Sequence, residues 1–143
     1  MPQDQEIHDL LIRYTRAYDS RNLAELEQCF TQDAIMRVEQ PDGTVEDEKV
    51  GRDEVMAMFR GLLAALPEQR RHVATNILVA NVSDGMATVD SYLLLFKQEG
   101  GQTRLVSTGT YKDVVVNHDG WRIQRRVVRM DSSFPIPGAN ATG

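Results

Sequence analysis

Cysteine is almost absent from this sequence, and histidine is scarce. The one cysteine, Cys29, excludes an internal disulfide bond and a cysteine-rich metal cluster. The three histidines stand on separate predicted elements, without the spacing typical of a metal site. No glycine-rich phosphate loop and no Gly-x-Ser-x-Gly motif occurs either. We therefore expect chemistry without a metal or another cofactor, and we predict that Cys29 is a buried core thiol.

Positive charge and long apolar runs are also lacking. The chain has 16 lysine and arginine residues against 21 aspartate and glutamate residues, which gives a net charge of −5. This balance argues against a nucleic-acid partner, which requires a basic surface. No apolar run is long enough to span a membrane, and the N-terminal MPQDQEIHDLL lacks a signal-peptide pattern. We expect a cytoplasmic protein that binds neither nucleic acid nor membranes.

The composition is that of one ordinary globular domain. The chain has 143 residues, of which 41% are hydrophobic and 26% are charged, so it can bury a proper core. We treat residues 1–143 as a single domain with a core of about 5–131, because no domain boundary or long repeat interrupts it. The segment 132–143, rich in proline and glycine, is predicted to be an irregular tail.

The spacing of apolar residues predicts three helices. The first has the i, i+3, i+4, i+7 pattern of a helix with one buried face, and it ends near Asp19. Asn22 is predicted as the N-cap of a short second helix, with Glu25 as its capping-box partner. A third helix begins near Gly51 and is ended by Pro67. Their apolar stripes are Ile7, Leu10, Leu11, Tyr14 and Tyr18; Leu23, Leu26 and Phe30; and Val55, Phe59, Leu62, Leu63 and Leu66.

Strands are predicted throughout the second half. Residues 71–82 and 86–97 form a hairpin around Ser-Asp-Gly, and residues 103–117 and 121–130 form another around Asn-His-Asp-Gly. An earlier strand, FTQDAIMRVEQ, leads into a Pro-Asp-Gly turn, and the acidic stretch at 46–48 is predicted to be a loop. This order indicates an α+β fold, with the helices packed on one face of a curved antiparallel sheet.

The segment RRHVATNILVANV carries polar residues where a strand is expected. Strand alternation places His72, Ala74, Asn76, Leu78 and Ala80 on one face. Either the imidazole and the amide satisfy each other in a core, or both face a cavity built for a ligand.

The last strand, WRIQRRVVRM, poses a similar choice for its arginines. Alternation places Arg122 with Arg126 on one face and Arg125 with Arg129 on the other. Since four arginines cannot all be buried without partners, one interpretation is a solvated or dimer-facing surface. A bulge in this strand would exchange the two faces.

Several separated segments together resemble one family. IHDLLIRYTRAYDSRNLAELEQCFTQDA, VGRDEVMAMF, RRHVATN and GTYKDVVVNHDGWRIQRR resemble the SnoaL-like domain of the nuclear transport factor 2-like superfamily, over about residues 5–131. The resemblance implies a cone, in which three N-terminal helices pack on a strongly curved, mostly antiparallel sheet around an apolar pocket. The superfamily includes dehydratases, dehydrochlorinases, ketosteroid isomerases, polyketide cyclases, dioxygenase β subunits and non-catalytic adaptors, so the fold alone does not determine the chemistry.

The resemblance also implies a site. In relatives similar to scytalone dehydratase, bile-acid dehydratase and hexachlorocyclohexane dehydrochlorinase, an aspartate of the first helix pairs with a histidine on the strand after the third helix. Asp19 and His72 hold the matching places here. Tyr14 matches a tyrosine of the bile-acid enzyme, and Arg126 matches an arginine of relatives that could bind a carboxylate or phenolate at the pocket mouth.

These residue types suit a β-elimination without a metal. His72 would be the base near neutral pH, with a carboxylate to fix its tautomer, and Tyr14 or Asn76 would donate a hydrogen bond to the reacting group. We predict a cofactor-independent lyase or isomerase for a small, apolar, cyclic substrate. Dehydration ranks before dehydrohalogenation, and isomerisation, with Asp90 or Asp113 as the base, ranks third. The rival is a non-catalytic ligand-binding or assembly domain, such as a ring-hydroxylating dioxygenase β subunit.

Both faces of the predicted strand 86–97 are apolar. One row would therefore be exposed in a monomer, and exposed patches of this kind mark interfaces. The pattern predicts a homodimer or a dimer-based oligomer. The two rows are Val89, Leu93 and Leu95, and Tyr92, Leu94 and Phe96.

Overall fold

The computed structural model describes residues 2–132, so the tail predicted to be irregular lies, from residue 133 onward, outside the described residues. The described part of the chain contains three helices and six strands. The helices are α1 (Pro2–Asp19), α2 (Leu23–Gln28) and α3 (Arg52–Ala65). The strands are β1 (Phe30–Glu39), β2 (Val45–Val50), β3 (Arg70–Ser83), β4 (Met86–Glu99), β5 (Gln102–Asn117) and β6 (Trp121–Met130).

The six strands form one sheet in the order β2-β1-β6-β5-β4-β3. All neighbouring strands are antiparallel except β1 and β6, which run parallel. Helix α1 packs against β3 and α3 packs against β1, so the helices cover one face of the sheet. The predicted α+β fold, with helices on a curved and mostly antiparallel sheet, is confirmed. Among the described residues, no helix has the length and apolar composition needed to cross a membrane.

Most helix signals in the sequence act as predicted, but the capping box of α2 is only half formed, because the backbone N–H of Asn22 donates to the carbonyl of Ala17 at 2.9 Å and not to the side chain of Glu25. The apolar stripe of α1 is buried in the core up to Tyr14, together with Leu26, Val55 and Phe59 of the other two helices, and Tyr18 is partly buried. The side chain of Asn22 caps α2 by accepting a hydrogen bond from the backbone N–H of Glu25, at 3.1 Å. Cys29 is buried, as predicted, and burial raises the pKa of its thiol to about 11.

The prediction that the acidic stretch after the first strand is a loop was wrong. Residues of this stretch form β2, which pairs with β1 from Ile35 opposite Val50 to Glu39 opposite Val45. Asp47 lies on the covered side of β2 and forms an ion pair with Lys49 at 3.2 Å. Charged residues can form this edge strand because one of its sides is exposed and the buried acid has a cation.

Two bulges bend β3, which is an edge strand of the sheet. The pairing register with β4 shifts after Thr75 and again after Ala80. Asn76 and Asn81 lie at these shifts with φ values of 53° and 54°, a left-handed conformation that asparagine tolerates better than most residues. The first bulge reverses the inward side of the strand, so Leu78 is exposed. The prediction of one continuous face from residue 72 to residue 80 was therefore wrong.

A bulge in β6 also changes the faces predicted for its arginines. Val114 is opposite Arg125 but Val115 is opposite Ile123, so one extra residue lies between them in β6. As a result Arg126 points into the core while Arg122 is only half-buried. Arg125 and Arg129 are exposed, as one of the interpretations expected.

Candidate active site

A mostly apolar cavity of about 190 Å³ lies between the helices and the concave face of the sheet. Its polar lining residues are Tyr14, Tyr18, Arg70, His72 and Tyr111. The rest of the lining is methionine, valine, leucine and phenylalanine from α3 and the residue that follows it, and from β1, β4, β5 and β6. A cavity of this character suits a small apolar ligand that is oriented by a few polar groups.

Asp19 and His72 are in direct contact, although 53 residues separate them in the chain. His72 Nδ1 lies 2.6 Å from Asp19 Oδ1, and the backbone N–H of His72 donates to Asp19 Oδ2 at 2.9 Å. Both side chains are at least nine-tenths buried. The carboxylate thus holds the ring and the backbone of one residue at once. When Nδ1 carries the proton and donates a hydrogen bond to Asp19, the other ring nitrogen, Nε2, is left free as an acceptor.

Tyr18 supports the imidazole from the helix side. Its ring centroid lies 4.1 Å from that of His72, with an angle of 32° between the planes. Tyr18 also contacts Phe59 edge-on at 5.1 Å. Burial raises the pKa of Tyr18 above its ordinary value, and Arg70 opposes that rise. Tyr18 therefore stays protonated and fixes the position of the histidine ring.

The loop before β3 is tied to the end of α1. Gln69 donates to the backbone carbonyl of Asp19 at 3.1 Å, and Arg21 donates to the carbonyl of Leu63 at 2.7 Å and to that of Leu66. These bonds hold the last turn of α3 against the helix that carries Asp19. They help to hold Asp19 and His72 in contact.

Tyr14 lies in the core and lines the cavity from α1. Its ring packs edge-on against Tyr18, Phe30, Phe59 and Tyr111, with centroid distances from 5.9 to 6.3 Å. Burial and the neighbouring Tyr111 raise the pKa of Tyr14, while Arg126 opposes the rise. Tyr14 is therefore suited to donate a hydrogen bond and unsuited to act as a base.

Arg126 does not lie at the mouth of the cavity, where the resemblance had suggested an arginine. It is fully buried and donates to both carboxylate oxygens of Asp113, each at 2.8 Å. Its guanidinium lies over the rings of Tyr14 and Tyr111, 4.3 and 3.8 Å from their centroids. Burial alone would lower the pKa of Arg126, but Asp113 and the two tyrosines raise it. Arg126 therefore stays charged and paired with Asp113, while its Nη1 is buried without a hydrogen-bond partner.

Asn76 and Asp90 do not reach the cavity either. The bulge at Asn76 turns it to solvent, away from the side that carries His72. Asp90 is exposed and forms an ion pair with Lys112 at 3.6 Å. Asp113, the other acid considered as a base, already pairs with Arg126. Within residues 2–132, no three histidine, cysteine or acidic side chains are grouped closely enough to hold a metal ion.

Sequence reasoning missed three polar residues of the cavity, Tyr18, Arg70 and Tyr111. Two of them had a signal in the spacing. Tyr18 lies four residues after Tyr14 and hence on the same face of α1, and Arg70 lies two residues before His72 and hence on the same face of β3.

Several solved structures share this fold. The β subunit of a proposed aromatic-ring-hydroxylating dioxygenase from Novosphingobium aromaticivorans has a TM-score of 0.80 and 17% identity, with 91% of this chain and 90% of that chain covered. A Nostoc punctiforme protein of unknown function with a cystatin-like fold has a TM-score of 0.75 and 22% identity, with 92% and 93% covered. A Catenulispora acidiphila protein, solved in complex with S-DNPA, has a TM-score of 0.76 and 23% identity, with 91% and 94% covered.

The sequence comparisons give the family. No curated protein matches this chain. The family model described as a SnoaL-like domain matches residues 1–127, which is most of the chain. The resemblance noted in the separated sequence motifs is confirmed, and this chain belongs to the SnoaL-like domain family.

Proposed function

We propose that this protein is a cofactor-independent lyase or isomerase in which His72 is the base and Asp19 orients it. The substrate is small, mostly apolar and cyclic. Dehydration is the first choice of reaction, followed by dehydrohalogenation and then isomerisation. The observation that carries the proposal is the 2.6 Å contact of a buried aspartate with a histidine that lines an apolar cavity.

The proposed dehydration uses the free nitrogen of the histidine. His72 Nε2 takes a proton from the carbon next to a carbonyl group of the substrate. The electrons of that C–H bond form the new double bond, the C–O bond breaks, and the leaving hydroxyl departs as water when the imidazolium returns the proton. Base catalysis of this kind contributes about 10²–10⁴-fold to the rate.

The surroundings of the Asp19–His72 dyad supply the rest of the rate enhancement in this proposal. The apolar walls exclude water, which strengthens electrostatic interactions inside the cavity. Tyr14 donates a hydrogen bond to the carbonyl oxygen, where negative charge develops. Tyr18 holds the imidazole ring in the orientation that the reaction requires.

The proposal is tested by proton exchange. The native protein is incubated in D₂O with a panel of small cyclic β-hydroxy ketones, their β-chloro analogues and β,γ-unsaturated ketones, and deuterium uptake and elimination are followed by NMR. We expect stereospecific exchange or elimination of at least one class at catalytic protein concentrations. A folded protein that is inactive toward the whole panel counts against the proposal.

A second candidate is a non-catalytic assembly domain of the dioxygenase β-subunit type. The observation in its favour is the TM-score of 0.80 to the β subunit of the proposed dioxygenase from Novosphingobium aromaticivorans. A β subunit works with a larger iron-bearing chain. Stable co-purification with such a chain, together with an absence of proton exchange, would select this candidate.

We also propose a homodimer that forms through the outer face of β3, β4 and β5, in the cytoplasm. Leu78, Tyr92 and Leu105 are each more than half exposed on these strands, while Leu94 and Phe96 are half-buried. We expect light scattering at micromolar concentration to give a dimeric mass, and Tyr92→Glu to give a monomeric mass because a charge then faces the apolar partner. A monomeric mass for the native protein would contradict the dimer.

A further inference from the structure

Arg70 occupies a distinctive place in the cavity. Among the described residues that line the cavity, it is the one with a permanent charge. It lies at the start of β3, two residues before His72 and on the same side of the strand. Strand geometry separates the two backbone positions by about 6–7 Å. A ligand of the size of one or two rings can therefore reach both side chains.

The present partner of Arg70 leaves part of its guanidinium free. Its Nε and Nη2 both donate to a single oxygen of Glu68, Oε1, at 3.2 and 2.7 Å. Both side chains are partly buried, with 15% and 16% of their surface exposed. An arginine has five N–H donors, so donors remain for a second acceptor. Hydrogen bonds from Arg70 also hold the pKa of Glu68 below its ordinary value.

Arg70 and Arg126 differ in what they can offer a ligand. Arg126 Nε and Nη2 donate to the two oxygens of Asp113, and two aromatic rings cover the guanidinium. Its Nη1 is buried without a hydrogen-bond partner, but Arg126 is not among the residues that line the cavity. Lys97, which is opposite Arg70 on β4, has its own acceptor in Glu99 at 3.3 Å. Arg70 is the cation that combines a position in the cavity with unused donors.

We propose that Arg70 selects ligands that carry one anionic group, a carboxylate or a phenolate, on an otherwise apolar ring. This inference rests on the proposed function in taking the cavity as the substrate site, and it adds the chemical class of the substrate. The anion binds at Arg70 while the ring fills the apolar part of the cavity beside His72.

The paired state of Arg70 explains how a charged residue is tolerated in this cavity. Without a ligand, Glu68 neutralises the guanidinium, so no unpaired charge is buried. An anionic ligand adds a charge-assisted hydrogen bond to the free N–H groups, in surroundings that contain little water. A neutral ligand of the same shape gains only an ordinary hydrogen bond there. The difference between the two ligands is therefore a direct measure of the role of Arg70.

The test compares 2-naphthoate with 2-naphthamide, which have the same ring system and differ in charge. Binding to the native protein and to Arg70→Gln is measured by isothermal titration calorimetry at constant ionic strength. We expect the native protein to bind the carboxylate about ten- to hundredfold more tightly than the amide. In Arg70→Gln this ratio should fall close to one, mainly through weaker binding of the carboxylate.

The matched control is Arg71→Gln, which removes the same charge from the next residue, where the side chain is exposed. It should keep the native ratio, because long-range attraction at the surface is screened. Arg70→Lys keeps the charge but lacks the planar guanidinium, so it should keep only part of the preference for the carboxylate over the amide. This variant provides the test if Arg70→Gln does not fold. Equal affinities of the native protein for the two probes, or a native ratio in both Arg70 variants, would overturn the proposal. Since neither probe needs to react, this result is independent of whether the protein catalyses an elimination.

Discussion

Replacing His72 with alanine is expected to lower kcat by about 10²–10⁴-fold, which is the contribution of a general base. The reaction measured is the one found with the substrate panel. The cavity remains for substrate binding, so the loss should appear in kcat more than in KM. His118→Ala is the matched control, because His118 is exposed in the turn between β5 and β6 and should leave kcat unchanged.

Asp19→Asn is expected to lower kcat nearly as much as His72→Ala, because it changes the tautomer of His72. The two oxygens of Asp19 accept from the backbone N–H of His72 and face its Nδ1. An amide has one oxygen and one NH₂ group, so it cannot accept at both places. If its oxygen keeps the backbone contact, its NH₂ group faces Nδ1 and favours the tautomer with the proton on Nε2. The nitrogen that should accept the substrate proton is then occupied.

The effects of the two substitutions on kcat should not multiply. Because Asp19 acts through His72, the double variant is expected to be about as slow as His72→Ala alone. The measurement is a double-mutant cycle on kcat, with thermal unfolding of each variant to verify that it folds. If the double variant shows the product of two small single effects, the dyad is wrong and His72 is a wall of the cavity.

Most of the fold could be predicted from the sequence because its signals are local and agree with one another. The stripe of α1, the cap at Asn22 and the glycine turns of the two hairpins each specify an element by themselves. The pairing of Asp19 with His72 could be anticipated only from the family resemblance. Its two members are 53 residues apart, and no periodicity connects a helix end to a strand start.

The failed assignments of strand faces have a common physical origin in strand irregularity. Alternation identifies a face only while the pairing register is constant, and each bulge adds one residue that reverses it. The bulge at Asn76 turns this residue, which was predicted to contact a ligand, to solvent. The bulge in β6 places Arg122 and Arg126 on opposite faces of the strand. Strand β2 was missed for a different reason, since an edge strand with paired charges shows no apolar alternation.

Replacing Arg126 with methionine is expected to lower the free energy of unfolding by about 3–5 kcal/mol. Arg126 and Asp113 are both fully buried and bind each other through two hydrogen bonds. Methionine fills much of the space, but it leaves the carboxylate of Asp113 in the core without its cation. A small domain has about 5–15 kcal/mol of stability in total, so this variant should unfold at far lower denaturant concentrations. Arg125→Met, at the exposed neighbouring position, should change stability by no more than about 0.5 kcal/mol.

The partner substitution distinguishes an uncompensated charge from simple loss of packing. If the cost of Arg126→Met comes from the stranded carboxylate, Asp113→Leu in the same chain should restore most of the lost stability, because no buried charge then remains. If the cost comes from lost contacts with the rings of Tyr14 and Tyr111, the double variant should be less stable than either single variant. Denaturant unfolding of the four proteins gives the coupling free energy directly. A restored double variant would mean that the pair contributes little net stability, and that its value to the protein lies in holding Tyr14 in place beneath the cavity.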